Sequence, residues 1–309
     1  ETTLRLRPFL AFRSVRQWTH EHNVANRSYD EVENGIRMCL YQGYPDLYMQ
    51  TSKPAQWNYC PDWYRGMDYP KERERGYYAT EDLLVPGYFE MPIHKGETIT
   101  FSAGVAPIEP KQIDVMLEKE IANIDHRDSF YHCLVNAAHQ FRVNKDKESY
   151  ILAGYPWFKP RARDTFISMP GLTLAIGEKE RFEAYMATAE KALYNFMRKE
   201  PMSGNIYEME QPDTLLWATW TIQQYAKYTS RKECYEKYGK LLKDIMGFIW
   251  NGLHPNLFIH ENGLLYANGR DHAITWMNSQ EGGRPVVPRS GYIVEFNALW
   301  YNALKFFEQ

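Results

Sequence analysis

A β-sandwich followed by an α/α toroid of the six-hairpin type is the fold class this sequence predicts. Three observations carry the expectation. Up to Val105, short alternating or aromatic runs lie between turn clusters such as Tyr44-Pro45-Asp46. From Ile108 onward, apolar residues recur at helical spacing instead. Breakers then divide that second part into antiparallel helix pairs, with short and long loops in turn.

Taken in order, residues 35–41, 46–49 and 97–102 read as strands of an antiparallel sandwich. The block 63–87 is longer than an ordinary hairpin loop. A helix then follows a proline start, with Ile113, Met116, Leu117, Ile121 and Ile124 at helical spacing. The pattern returns over 130–143, 182–197, 215–228 and 241–250, and a last helix starts near Gly291. Glu200-Pro201, Ser203-Gly204 and Gly252 separate these segments. No repeat of fixed length is visible, so a solenoid is not predicted. The expected domains are 1–107, the sandwich, and 108–309, the helical part. Roughly seven or eight helices are legible after residue 108, fewer than six hairpins need, so a truncated toroid is the expectation.

Composition narrows the function classes. A formal net charge of −3 over 309 residues gives no case for nucleic acid or an anionic membrane as partner. Cys39, Cys60, Cys133 and Cys234 show no C-x-x-C pairing, so reduced, buried thiols in a cytoplasmic protein are expected. The nine histidines are scattered without metal spacing, and no P-loop or G-x-G-x-x-G occurs, so no cofactor and no metal are expected. No run is apolar for long enough to cross a bilayer. Aromatic residues make up 15% of the chain. Most of them are expected in the core, which leaves ligand contacts to the few on motif loops.

The loop over 153–172 is the most informative of these. It sets Trp157 and Phe158 beside Lys159, Arg161, Arg163 and Asp164 and runs into an apolar helix. A pyranose ring needs that mixture, with aromatic faces for its C–H surfaces and planar charged groups for its hydroxyls. The segment resembles the Ala-Gly-Tyr-Pro-Trp-Phe…Gly-Arg-Asp-Thr signature of the amylo-α-1,6-glucosidase domain of glycogen debranching enzymes. Residues 271–304, D-H-A-I-T-W-M-N-S-Q-E-G-G-R-P-V-V-P-R-S-G-Y-I-V-E-F-N-A-L-W-Y-N-A-L, resemble a second long motif of the same family. Gln211-Pro212-Asp213-Thr214-Leu215-Leu216-Trp217 and the opening 4–13 are weaker matches.

The resemblance implies an α-glucan, glycogen or limit dextrin, as substrate. The implied reaction is inverting hydrolysis of the α-1,6-linked glucose at a branch point. That chemistry needs an acid for the leaving oxygen and a base for water, about 6.5–9.5 Å apart. By resemblance the acid falls at the Asp of Thr-Trp-Met-Asp, where this chain has Asn278, and an amide has no acidic proton to give. Three explanations stay open: the role has moved to Glu281 or Asp271, the protein binds glucan without cutting it, or Glu295 is the acid. The base of the family falls after the last motif, beyond residue 309.

Substrate contacts are better represented. Arg163-Asp164 resembles the pair that holds the terminal glucose, with a helix N-cap as the alternative role for Asp164. Where the family has Trp-Gly before that pair, this chain has Arg161-Ala162. Trp157 and Trp276 are each a stacking platform or a core residue, and for Trp217 the core is favoured. Asp213 is an N-cap or a glucose ligand, with the cap favoured. Arg289 reaches hydroxyls or makes a surface ion pair. The oligomeric state is not legible.

Overall fold

The computed structural model describes residues 2–308 except 125, 156 and 202–205. Pro156 of the aromatic loop and the Ser203-Gly204 breaker lie outside the described residues. The chain divides into two compact units, Glu1–Ile124 and Asp125–Gln309.

The first unit is sheet-rich. One antiparallel sheet contains β1 (Thr2–Leu6), β5 (Gln56–Asp68) and β6 (Thr80–Ile93), in the order β1-β6-β5. The other contains β2 (Asp30–Val32), β3 (Gly35–Met38), β4 (Leu47–Thr51) and β7 (Phe101–Gly104), in chain order. Each sheet turns an apolar face to one shared cluster. Ile36, Met38 and Met49 from one sheet are buried with Trp63, Leu84, Phe89 and Met91 from the other. The long β5–β6 hairpin, which carries α1 (Pro70–Glu74) in its loop, accounts for the extended block 63–87.

Helix α2 (Pro110–Asn123) groups with this sheet-rich unit, so the units divide at Ile124 rather than at 107. Gln50 gives a physical reason. Its buried amide donates to the Ile108 carbonyl at 2.8 Å and accepts from the Ile108 N–H at 2.9 Å, which ties the start of α2 to β4. The stripe that marked this helix is only partly used. Ile113 is buried, whereas Met116, Leu117, Ile121 and Ile124 are exposed.

The second unit is mainly helical: α3 (Phe130–His139), α4 (Ala162–Leu172), α5 (Lys179–Met197), α6 (Thr214–Tyr228), α7 (Arg231–Trp250) and α8 (Val294–Glu308). Small antiparallel pairs interrupt it: β8 (Arg142–Lys145) with β9 (Glu148–Ile151), β10 (Leu257–Ile259) with β11 (Leu265–Ala267), and β12 (Gln280–Glu281) with β13 (Arg284–Pro285). Helix α6 lies at the centre and packs against α4, α7 and α8. Its Leu215, Ala218, Ile222 and Tyr225 are buried among Phe166, Phe182, Leu241 and Phe296.

The expected helix over 130–143 ends at His139, since Val143 belongs to the β8–β9 hairpin. Two of the four cysteines, Cys60 and Cys133, are exposed, against the expectation of burial. Among the described residues, no helix is long and apolar enough to cross a membrane.

Candidate functional site

The start of α4 organises the site. Arg161 is its N-cap residue in extended conformation and gives no side-chain cap. The Ala162 N–H instead donates to the Tyr207 carbonyl at 2.9 Å. Asp164 is therefore the third helical residue and not the N-cap. Its exposed carboxylate has no hydrogen bond or ion pair among the described residues. A carboxylate in the first turn is favoured there by the helix dipole.

Arg163 and Asp164, neighbours in sequence, diverge in space. The Arg163 guanidinium turns inward onto Asp213 with a bidentate pair, Nε to Oδ2 at 2.6 Å and Nη2 to Oδ1 at 2.9 Å. Only 3% of Asp213 is exposed. Asp213 occupies the N-cap position of α6, as the sequence favoured, but its side chain caps nothing. It takes the Trp217 indole N–H at 3.2 Å instead. Trp217 is half-buried against the core of the unit, as favoured. Arg163 also reaches the Ile274 carbonyl at 3.5 Å. One ion pair thus joins the starts of α4 and α6 and the loop that carries Trp276 and Asn278. A planar guanidinium suits that task, because its fork of donors holds a carboxylate in fixed geometry.

The aromatic loop presents its rings outward. Trp157 is 51% exposed and Phe158 45%, which removes the core reading for Trp157. Phe158 closes a tight turn, its N–H donating to the Gly154 carbonyl at 2.6 Å. The Arg161 guanidinium lies 5.2 Å from the centre of its ring. Trp276 is 65% exposed, so it too is not a core residue.

Glu295 lies in the first turn of α8. Arg289 forms a bidentate pair with the Glu295 carboxylate. The Arg289 guanidinium chiefly holds Glu295 below the usual carboxylate range, against the opposing effect of partial burial. A general acid requires the opposite shift. Asn278 is exposed on the loop after Trp276, and Glu281 and Asp271 are exposed on either side of it. The hairpin that carries Glu281 turns at Gly282 and Gly283, with φ of 56° and 79°, values that suit glycine.

Two determinants were not read from the sequence. The Arg163–Asp213 link spans 50 residues and has no local signature. Gly269 is the other: a Cβ there would lie 2.0 Å from the Arg289 carbonyl. Only the absence of a side chain lets that backbone approach the loop holding Arg289.

Exposed rings and exposed or ion-paired carboxylates on these loops and helix starts are the residue types that suit a polyhydroxylated ligand. Residues 134–309 match the family model for amylo-alpha-1,6-glucosidase. Residues 1–100 match the model for the N-terminal part of glycogen debranching enzyme. The chain belongs to the amylo-alpha-1,6-glucosidase family. Neither the curated proteins nor the solved structures gave a significant match.

Proposed function

We propose that the chain acts on the α-1,6-linked glucose at branch points of glycogen or a related α-glucan, by inverting hydrolysis in a cytoplasmic setting. Family membership supports the glucan, and the constellation at the start of α4 supports where it binds. The observation that carries the reading is the exposed Asp164 carboxylate, unpaired among the described residues and seven residues along the chain from the exposed ring of Trp157. In this reading Asp164 accepts from the outer hydroxyls of the terminal glucose, and Trp157, Phe158 and Trp276 stack on C–H faces. Arg163 and Asp213 act behind them as positioning residues. An α/α toroid is the architecture proposed for the helical unit, preceded by a β-sandwich.

The proton donor is the open role. Held anionic by Arg289, Glu295 suits hydrogen-bond acceptance better than proton donation. The hydrolytic reading therefore gives the acid's role to Asp271 or Glu281, beside Asn278.

One observation favours a second reading, glucan binding without hydrolysis. Asn278 stands where the resemblance puts the acid, and an amide cannot supply the proton. Glucose release from branched limit dextrin separates the two readings. The hydrolytic reading expects release by the chain within its whole protein while Asn278 is present, and its loss on replacing both Asp271 and Glu281 by their amides. Release only after Asn278→Asp would establish the binding reading. Binding of limit dextrin unchanged by Asp164→Asn would overturn the assignment of Asp164 in both.

A further inference from the structure

The sheet-rich unit contains a solvent-open cleft of about 600 Å³ that the site at the start of α4 does not use. Volumes of about 300–1,000 Å³ are usual for ligand sites. Its walls are built rather than accidental. Trp18 stacks on Tyr69, ring centroids 5.0 Å apart, and the Arg13 guanidinium lies 5.2 Å from the Trp18 ring. Buried Glu81 fixes that guanidinium through two hydrogen bonds, at 2.7 and 2.8 Å. The same carboxylate accepts from the Tyr69 hydroxyl and from the Thr19 N–H. Tyr44 also lines the cleft and is exposed, with its ring centroid 6.3 Å from that of Phe12. Phe12 holds φ at 41°, a left-handed conformation that a bulky residue keeps only where its surroundings impose it.

The charge and hydrogen-bond inventory selects the ligand. Arg13 is neutralised by Glu81, and His20 has Asp82 at 3.7 Å, so neither offers an unmatched cation for a phosphate or carboxylate. Neutral donors remain. The His22 Nδ1 accepts from the Val24 N–H at 3.2 Å, so the ring proton sits on Nε2 and donates to the Tyr41 hydroxyl oxygen at 3.0 Å. The hydroxyl proton of Tyr41 is then available to a ligand. The Trp18 indole N–H also has no acceptor among the described residues. Aromatic faces with uncharged donors fit a neutral ligand that has apolar C–H faces and many hydroxyls.

We infer that this cleft is a second carbohydrate-binding site, one that takes an α-1,4-linked glucan chain on Tyr44, Tyr41 and Trp18. The choice of glucan among carbohydrates rests on the function proposed above. The open form of the cleft suits a stretch of chain better than a sequestered monosaccharide.

The test is isothermal titration of maltohexaose into the whole chain and into its Tyr44→Ala, Tyr41→Phe and Asp164→Asn variants. Circular dichroism of each variant verifies folding, and Tyr41→Phe keeps the ring should Tyr44→Ala fail to fold. Loss of the Tyr44 platform is expected to weaken one binding event about tenfold, and loss of the Tyr41 hydroxyl about fivefold. Asp164→Asn should leave that event unchanged. Binding that survives both tyrosine changes but disappears in Asp164→Asn would overturn the cleft and leave the glucan reading standing. No uptake of maltohexaose by the parent chain would overturn both.

Discussion

At the scale of single residues, the sequence marks candidate side chains without showing what they touch. The motif put Arg163 and Asp164 side by side, and the helix sends one inward and the other outward. Successive residues on a helix point about 100° apart, so adjacency in a motif does not mean a shared ligand. Asp213 was legible as an N-cap position, but its long-range partner was not. That partnership makes a prediction. Replacing Asp213 by Asn removes the charge opposite a largely buried Arg163 guanidinium. Breaking a buried pair on one side costs about 3–5 kcal/mol, and the remaining amide keeps part of the contact. Urea denaturation of Asp213→Asn should therefore show a loss of about 3 kcal/mol, and weaker binding of limit dextrin should accompany it. An unchanged midpoint would show that the pair positions nothing. His254 provides a second prediction, in pH. It is buried, and its Nδ1 accepts from the Asn256 N–H at 3.1 Å. Burial pulls its pKa down from 6.5 to about 4, against a smaller opposing effect from the Glu210 backbone. Between those values the unfolded chain takes up a proton that the folded chain refuses, so stability falls as pH drops through that window. The loss between pH 7 and pH 5 should be about 2 kcal/mol. Denaturation of His254→Gln should lack that increment, and equal slopes for parent and variant would refute the assignment.

At the scale of elements, helices with a complete apolar stripe were legible, and those cut short by hairpins were not. Helix α5 was expected over 182–197 and α6 over 215–228, close to what is observed. Helix α7 begins ten residues before its expected start, at Arg231 rather than at Leu241. The signal was present, since the Ser230 hydroxyl accepts from the Glu233 N–H at 3.1 Å in a Ser-x-x-Glu start. The β8–β9 hairpin was missed for another reason. Its turn puts Asp146 at φ 55° without a glycine, so neither composition nor spacing announced it. Gly269 belongs at this scale because it governs how two backbone segments meet. The 265–269 stretch and the 289–291 stretch bridge at Ala267 and Gly291, and a methyl at Gly269 would strike the Arg289 carbonyl and Ile274. The Arg289 obstacle is backbone and cannot swing aside as a side chain would, so the loop must shift. Gly269→Ala is therefore expected to lower stability by about 1–3 kcal/mol, as overpacking does. It should also weaken limit dextrin binding, although Gly269 makes no contact with sugar in the proposed site. Wild-type melting temperature and affinity together would show that the close approach is dispensable.

At the scale of the whole molecule, the change of periodicity after Val105 correctly announced two kinds of structure. The boundary was less legible, because it depends on the clamp between Gln50 and Ile108 and not on local pattern. Each unit has its own buried cluster, and among the described residues none belongs to both. A segment with its own core has the means to unfold as its own cooperative unit. Scanning calorimetry of the chain should then resolve two transitions, with a calorimetric enthalpy above the van't Hoff value for a single one. Substitutions assign them. At Gly35 a Cβ would lie 2.1 Å from the Met49 carbonyl, so Gly35→Ala separates β3 from β4 and should lower only the transition of the sheet-rich unit. His254→Gln, at neutral pH, should act only on the helical one. A single transition moved by both substitutions would mean that the two cores melt together. The units seen in the contacts would then not be units of stability.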